Sequence, residues 1–368
     1  MRTKPPNPFP SLARPALMPD SASIVSPDAP ILVTGANGFL GTRVVAELLR
    51  RKHRQVRCFV RPSSKLTRLQ AVLAEHPEGT NVELVAGDLQ SRDDCRRAAD
   101  GVAAICHLAA GFDKSFAGAF MNSALATRNL IEAFLEVGQP KRFVNVSSFA
   151  VYSNLHLPRH ALLDETCPLE DAPQERYDAY GFGKLKQEQI VRDYGANRGL
   201  PWVILRPGTI FGPGKKDLTG RIGVDTFGFM IHIGGGNQLP LTYVDNCAEA
   251  IVLAALKPGV DGEVFNVVDD EVLTSREFLR AWQRKTGKRF SVRVPYFLAW
   301  WLNGLWEDFS KHRKGQLPPA FNRRRCAAEW KGNRFTNQKL KAKLGWTPRV
   351  PMSDAMQAFL GQFDSPAK

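Results

Sequence analysis

Cysteine is scarce in this chain of 368 residues: there are six, Cys58, Cys95, Cys106, Cys167, Cys247 and Cys326. None stands in a CxxC pair and no histidine cluster lies near them, so neither a zinc site nor a disulfide framework is expected, and no metal. That usage fits a reducing compartment, and the cytoplasm is the expected location. Several of the six lie in apolar runs, where a free thiol acts as a small hydrophobe. Long apolar runs are missing too. No segment offers the ~20 consecutive apolar residues that span a bilayer. Residues 1–29 hold no apolar run, and Pro5, Pro6, Pro8, Pro10 and Pro15 interrupt them. This argues against a secretory signal and predicts a disordered tail. Acids are scarce late in the chain: Arg280 to Arg349 holds 18 Lys/Arg against Glu307, Asp308 and Glu329 alone. The formal net charge is +14, so the excess lies in that segment. Such a face meets an anionic substrate, an anionic lipid surface or only solvent. No nucleic-acid motif accompanies it, so nucleic acid is not an expected partner.

What is present is ordinary globular composition, 43% hydrophobic and 23% charged. Strand-like and helix-like patterns alternate from Pro30 onward. Short apolar runs at Ile31–Thr34, Val56–Val60, Val82–Ala86, Ala103–Leu108, Arg142–Val146 and Trp202–Leu205 read as strands. Thr42–Arg51 and Ala124–Val137 carry helical spacing. Such alternation predicts an α/β fold, a doubly wound parallel sheet of Rossmann type with helices on both faces. After Gly212 the pattern loosens. The division expected is a tail over 1–29, a dinucleotide-binding domain over 30–212, and a smaller C-terminal substrate-binding lobe over 213–368, interleaved with the first. No internal repeat is visible.

The segment Gly35-Ala36-Asn37-Gly38-Phe39-Leu40-Gly41 follows a strand and opens a helix. Gly35 permits the tight turn, Gly38 lets backbone approach a pyrophosphate, and Gly41 lets helix and strand pack. The anion sits at the helix N-terminus, where free N–H groups and the dipole favour it. The end of the second strand distinguishes the cofactors. NAD sites usually place an acid there for the ribose 2′-OH. Here the strand ends at Arg61, with Lys65 and Arg68 following and no acid, which points to NADP ahead of NAD. Solvated loop cations are the competing reading.

Tyr180-Gly181-Phe182-Gly183-Lys184 puts Tyr and Lys on one helix face. A phenol with a pKa of about 10 is a poor base at neutral pH. A nearby ammonium is expected to lower it, so that Tyr180 exchanges a proton with a substrate oxygen while Lys184 reaches the ribose hydroxyls. The strand ending in Ser147-Ser148 lies upstream.

Together with Gly87-Asp88-Leu89, His107-Leu108-Ala109-Ala110, Leu205-Arg206-Pro207-Gly208 and Tyr243-Val244-Asp245, these pieces resemble an extended short-chain dehydrogenase/reductase of the NAD-dependent epimerase/dehydratase superfamily. The resemblance covers about Pro30 to Phe359. It implies that Asp88, beside Leu89, contacts the adenine. It implies that Leu108, Ala109 and Ala110 line the dinucleotide, and that Pro207 and Gly208 lie beside the nicotinamide. It gives Ser148 the reacting oxygen, with Ser147 as the competing choice. It also bears on the reaction. Dehydratases of this superfamily carry an acidic pair after the serine or threonine, and Phe149 and Ala150 stand there instead. Nucleotide-sugar epimerases carry an Asn where Thr209 stands. The form looks closer to the 3β-hydroxysteroid dehydrogenase and dihydroflavonol reductase branches. The expected reaction is reversible hydride transfer on a secondary alcohol or ketone. The alternatives are a nucleotide-sugar epimerase with tightly held NAD, its diphosphate met by Arg323, Arg324 and Arg325, and a non-catalytic dinucleotide sensor. The expected partners are a small-molecule substrate and a second copy in a homodimer. Val294–Trp306, rich in Trp and followed by Lys311, Arg313 and Lys314, reads as a membrane-surface helix, a wall for a lipid-like substrate, or a core or dimer-contact helix.

Overall fold

The computed structural model describes residues 23–76, 81–111, 114–226, 229–287, 290–313 and 317–364. In chain order the first half runs β1 (Ile31–Thr34), α1 (Gly41–Arg50), β2 (Gln55–Val60), α2 (Thr67–Ala74), β3 (Asn81–Ala86), α3 (Arg92–Ala99) and β4 (Ala104–His107). Then come α4 (Phe116–Ala119), a π-helical turn over Phe120–Leu125, α5 (Ala126–Val137) and β5 (Arg142–Val146). The middle holds β6 (Leu162–Leu163), α6 (Ala179–Arg198), β7 (Trp202–Pro207), β8 (Thr209–Phe211), β9 (Gly223–Thr226), β10 (Phe229–His232), β11 (Leu241–Tyr243), α7 (Val244–Leu256) and β12 (Glu263–Val267). The last quarter holds α8 (Ser275–Thr286), β13 (Ser291–Arg293), α9 (Tyr296–His312), α10 (Arg323–Trp330), β14 (Arg334–Phe335), α11 (Gln338–Leu344) and α12 (Met352–Gly361).

The apolar runs read as strands are strands, because a parallel sheet is covered on both faces and needs apolar residues at successive positions. Every residue of β1, β4 and β5 is buried. Seven parallel strands lie in the order β12-β7-β5-β4-β1-β2-β3. Alternate residues feed two cores. Ile31, Val33 and Cys106 pack with α1 and α7, while Leu32, Ile105 and Phe143 pack with α3, α5 and α6. The chain leaves β1 toward β2 on one side and returns to β4 on the other. The switch point, where ligands bind in such sheets, therefore lies beyond the carboxyl ends of β1 and β4.

The sheet crosses the expected boundary at Gly212. Its outermost strand, β12, comes from residues 263–267, and eight of the ten buried residues of α7 fill the same core. A cut at 212 leaves the sheet incomplete. The remaining segments build a second core around Phe211, Met230, Leu241, Phe278 and Phe359. Residues 1–22 of the expected tail lie outside the described residues. Residues 23–29 depart from that expectation: Val25 is buried in the first core, and the Ile24 N–H donates to the Leu256 carbonyl at 2.9 Å. The helix read from Ala124 begins at Ala126, because the chain enters it through the π-helical turn. Among the described residues, no helix is long and apolar enough to cross a membrane.

Candidate active site

The glycine loop behaves as its spacing requires. Gly35 has φ +68°, and a Cβ on Gly41 would collide with the Gly35 carbonyl. Leu40, at the N-cap of α1, offers no side-chain cap; within the first turn the Thr42 N–H already donates to the Gly38 carbonyl at 3.1 Å and the Arg43 N–H to the Leu40 carbonyl at 3.0 Å. Two cavities meet at this loop, sharing Gly35 and Ala110. The smaller, about 220 Å³, is bordered by Asn37, Arg61, Asp88, Leu89 and Ala109. It also takes Ser64, Gln90 and Asn122. Lys65 and Arg68 do not border it; the Arg68 guanidinium instead donates to the Gly214 carbonyl at 3.0 Å.

The larger cavity, about 710 Å³, runs from Gly38, Phe39, Leu40, Gly41 and Leu108 to Tyr180, Lys184 and Gly208. Pro207 ends β7 just before it, buried. Gly208 is required there, since a Cβ would strike the Pro240 carbonyl. The two cavities together match a dinucleotide laid across the switch point: the glycine loop at the start of α1 in the middle, the smaller recess on one side and the Tyr–Lys pair on the other.

Helix α6 presents that pair. Asp178 caps it, accepting from the Gly181 N–H at 2.8 Å. Tyr180 and Lys184, four residues apart, reach the same cavity. The Lys184 ammonium donates to the Val146 carbonyl at 2.7 Å and lies 6.0 Å from the Tyr180 ring centre. Tyr180 hydrogen-bonds the Ser148 hydroxyl. Ser148 also accepts the Ala150 N–H at 3.1 Å. Ser147 is buried and borders the larger cavity, whereas Ser148 is half-buried and is not among the residues that line it.

The electrostatics differ from the expectation that Lys184 lowers Tyr180. Burial pushes the phenol up to about 12, against the bond from Ser148 that lowers it, and the Asp178 carboxylate adds to the rise. Burial also pulls Lys184 down to about 7, opposed by Glu188. Desolvation disfavours the charged form of each. The lysine then holds less charge with which to stabilise phenolate.

A profile of the NAD dependent epimerase/dehydratase family matches residues 31–267. The chain belongs to this family. It is an enzyme of the nicotinamide-dependent extended short-chain dehydrogenase type, the group its motifs resemble. It is 27% identical to the 3 beta-hydroxysteroid dehydrogenase/Delta 5-->4-isomerase of Mycobacterium tuberculosis, over 94% of this chain and 93% of that protein. It is also 27% identical to an Arabidopsis thaliana 3beta-hydroxysteroid-dehydrogenase/decarboxylase; 90% of this chain matches only 61% of that protein. The fold superposes on UDP-glucuronic acid 4-epimerase from Bacillus cereus, solved with UDP-glucuronic acid and NAD. The TM-score is 0.67 and the identity 20%, over 91% of this chain and 98% of that one.

Helix α6 carries polar partners that spacing alone did not single out. Glu188, buried one turn beyond Lys184, accepts two bonds from Arg206, at 2.8 and 2.6 Å. Arg206 also donates to the Tyr152 hydroxyl at 3.0 Å, which donates to Asn266 at 2.7 Å. Behind the loop, Thr127 donates to the Ser123 carbonyl. Its oxygen then accepts from His107 Nε2, at 2.9 Å, and from the Gln187 amide, at 2.8 Å. His107 Nδ1 accepts from Thr34, whose oxygen takes the Ala109 N–H. This tautomer follows from the network. Burial, with the Lys184 charge, holds His107 down at about 3, so it is neutral. It positions the Ala109 backbone and borders neither cavity.

Arg323, Arg324 and Arg325 border neither cavity. Arg324 is held by Glu170, Asp171 and Glu175, and the Arg323 guanidinium covers Gly304. Their position on α10 overturns the expectation that they meet a substrate diphosphate.

Proposed function

We propose that this protein catalyses reversible hydride transfer between NADP(H), or NAD(H), and a secondary alcohol or ketone on an apolar skeleton. One observation carries the reading: the cavity holding Tyr180 and Lys184 is walled beyond them by Phe39, Ile210, Phe211, Leu218, Phe278 and Phe359. Relatives named as hydroxysteroid dehydrogenases, and a 2-alkyl-3-oxoalkanoate reductase of Stenotrophomonas maltophilia at 28% identity, support this class.

When bound, the nicotinamide ring takes or gives the hydride. Ser148 and Tyr180 hold the substrate oxygen, and Tyr180 exchanges its phenolic proton with it. A phenol kept protonated by burial suits ketone reduction. Lys184, anchored on Val146, faces the ribose hydroxyls and stabilises phenolate when charged. The aromatic wall excludes water from the exchange. Gly35 and Gly38 would hold the pyrophosphate, with Gly41 packing the helix against the loop. Asp88 and Leu89 would border the adenosine, and Leu108, Ala109, Ala110 and Gly208 would line the remainder, with Pro207 behind Gly208.

Arg61, a cation at the smaller cavity, supports NADP through a 2′-phosphate. Arg61→Asp is expected to shift the NADP/NAD affinity ratio at least ~10-fold toward NAD; an unchanged ratio overturns that choice. A second reading, nucleotide-sugar epimerisation with retained NAD, is favoured by Lys215 and Lys216, which border the larger cavity and suit a diphosphate. Mass analysis of dinucleotide released on denaturation separates the two. Stoichiometric NAD supports epimerisation, and an empty site that then binds NADPH supports the reductase. A purely sensing role is disfavoured by the presence of both Tyr180 and Lys184. Buried thiols at Cys58, Cys95, Cys106, Cys247 and Cys326 support a reducing, cytoplasmic setting. Phe120 and Met121, exposed beside α5, support a homodimer contact, which light scattering measures.

A further inference from the structure

Helix α9 turns its apolar side outward. Of its 17 residues only Ala299, Asn303, Gly304 and Ser310 are buried. Ala299 shares a small core with Cys326 and Trp330 of α10. Away from this contact, Phe297, Trp301, Leu305 and Phe309 recur every four residues and so form one stripe. They are 73%, 57%, 48% and 44% exposed. Leu298, Leu302 and Trp306 widen the stripe and are exposed as well. Phe290 and Val292, just before α9 in the chain, are open too. Single exposed apolar side chains need no explanation, whereas a continuous patch of this kind marks an interaction surface.

Charge decides its occupant. Arg313 stacks on the Phe309 ring at 4.8 Å, at the end of the stripe. Arg325 on α10 is exposed and donates to a backbone carbonyl, that of Ala320. Lys311 is exposed but pairs with Glu307 at 2.8 Å, and the exposed Arg293 stands at the entry to the helix. The surrounding chain, Arg280 to Arg349, holds 18 Lys/Arg against three acids. A second copy packed symmetrically on this face would bring two such segments together, which like-charge repulsion opposes. An anionic bilayer meets the aromatic stripe and the cations at once: the rings enter the headgroup region and the cations stay at the lipid phosphates.

We propose that α9 seats this protein on the surface of an anionic phospholipid bilayer. The seat is linked to the active-site cavity. The Trp330 indole donates to the Gly220 carbonyl at 2.9 Å, and Arg221 donates to the Ala328 carbonyl at 3.0 Å. Gly220 borders the larger cavity. The bilayer is therefore separated from one cavity wall by the α9–α10 pair.

The test uses full-length protein, sedimented with vesicles of phosphatidylcholine alone or with phosphatidylglycerol at a ratio of ~7:3. Binding is expected to be at least ~10-fold tighter to the anionic vesicles and to weaken with added salt. Phe297→Ser/Trp301→Ser/Leu305→Ser should weaken binding at least ~10-fold with an unchanged circular dichroism spectrum. Arg313→Glu/Arg325→Glu should weaken it on anionic vesicles while leaving the fold intact. Absent binding, equal binding to the two vesicles, or a triple variant that binds like wild type overturns the proposal. So does a wild type that ignores vesicles and is a dimer which the triple variant splits, for then a second copy covers α9.

Discussion

Tyr180 and Lys184 stand one turn apart, and burial moves each toward its neutral form, the phenol up to about 12 and the amine down to about 7. Tyr180→Phe removes the exchanging proton and leaves the ring. Turnover on a cognate ketone should fall at least ~10²-fold while NADPH titration is unchanged; near wild-type turnover would remove Tyr180 from the mechanism. For Lys184 the linkage has a definite sign. Between about 7 and its ordinary value of 10.5, the unfolded chain binds the proton and the folded one does not, so its contribution to stability rises with pH. That contribution is complete above the unfolded value and is lost as pH falls through about 7. Lys184→Met lacks it. Thermal melts should show wild type gaining at least ~2 °C on this variant between pH ~7 and ~9.5; a constant gap would mean the amine is not desolvated. The pair was legible in the sequence because a four-residue spacing on a helix is a strong geometric statement. Its proton affinities were not, because desolvation depends on what covers the helix.

At the scale of elements, α6 and β7 are joined through Glu188 and Arg206, each almost wholly buried. The carboxylate lies well below its ordinary range despite burial, because Arg206 bonds both of its oxygens. Removing one member leaves the other charge uncompensated in the core. Glu188→Leu or Arg206→Met alone should cost about 3–5 kcal/mol in denaturant unfolding, and the double replacement should recover most of it. Additive losses would show that the two do not act as a pair. Spacing did not single out Glu188 or Gln187, since polar residues at helical intervals ordinarily mark a solvated face. Here that face is turned against β5, β7 and the π-helical turn, so Gln187 and Glu188 are buried. The short strands were legible for the opposite reason: a run apolar at every position has few other places to go.

At the scale of the whole molecule, the dinucleotide half is completed by chain that follows the second lobe's first strands. A fragment ending at residue 212 lacks β12 and the ten buried residues of α7. It should be unfolded by circular dichroism and should not bind NADPH, whereas a folded, binding fragment would show that the sheet closes without them. The α/β class, the glycine loop, the Tyr–Lys helix and the basic bias of the last third were determined by the sequence alone, because each depends on residue type at short spacing. Tertiary structure decided the rest, because each remaining feature depends on which distant segments meet. It took Ser23–Ala29 out of the expected tail by burying Val25. It turned Arg68 toward Gly214, away from the smaller cavity, and paired Arg324 with three acids, outside the residues that border either cavity. It left the apolar stripe of α9 in the open, since the small core beneath this helix has room for only one of its sides.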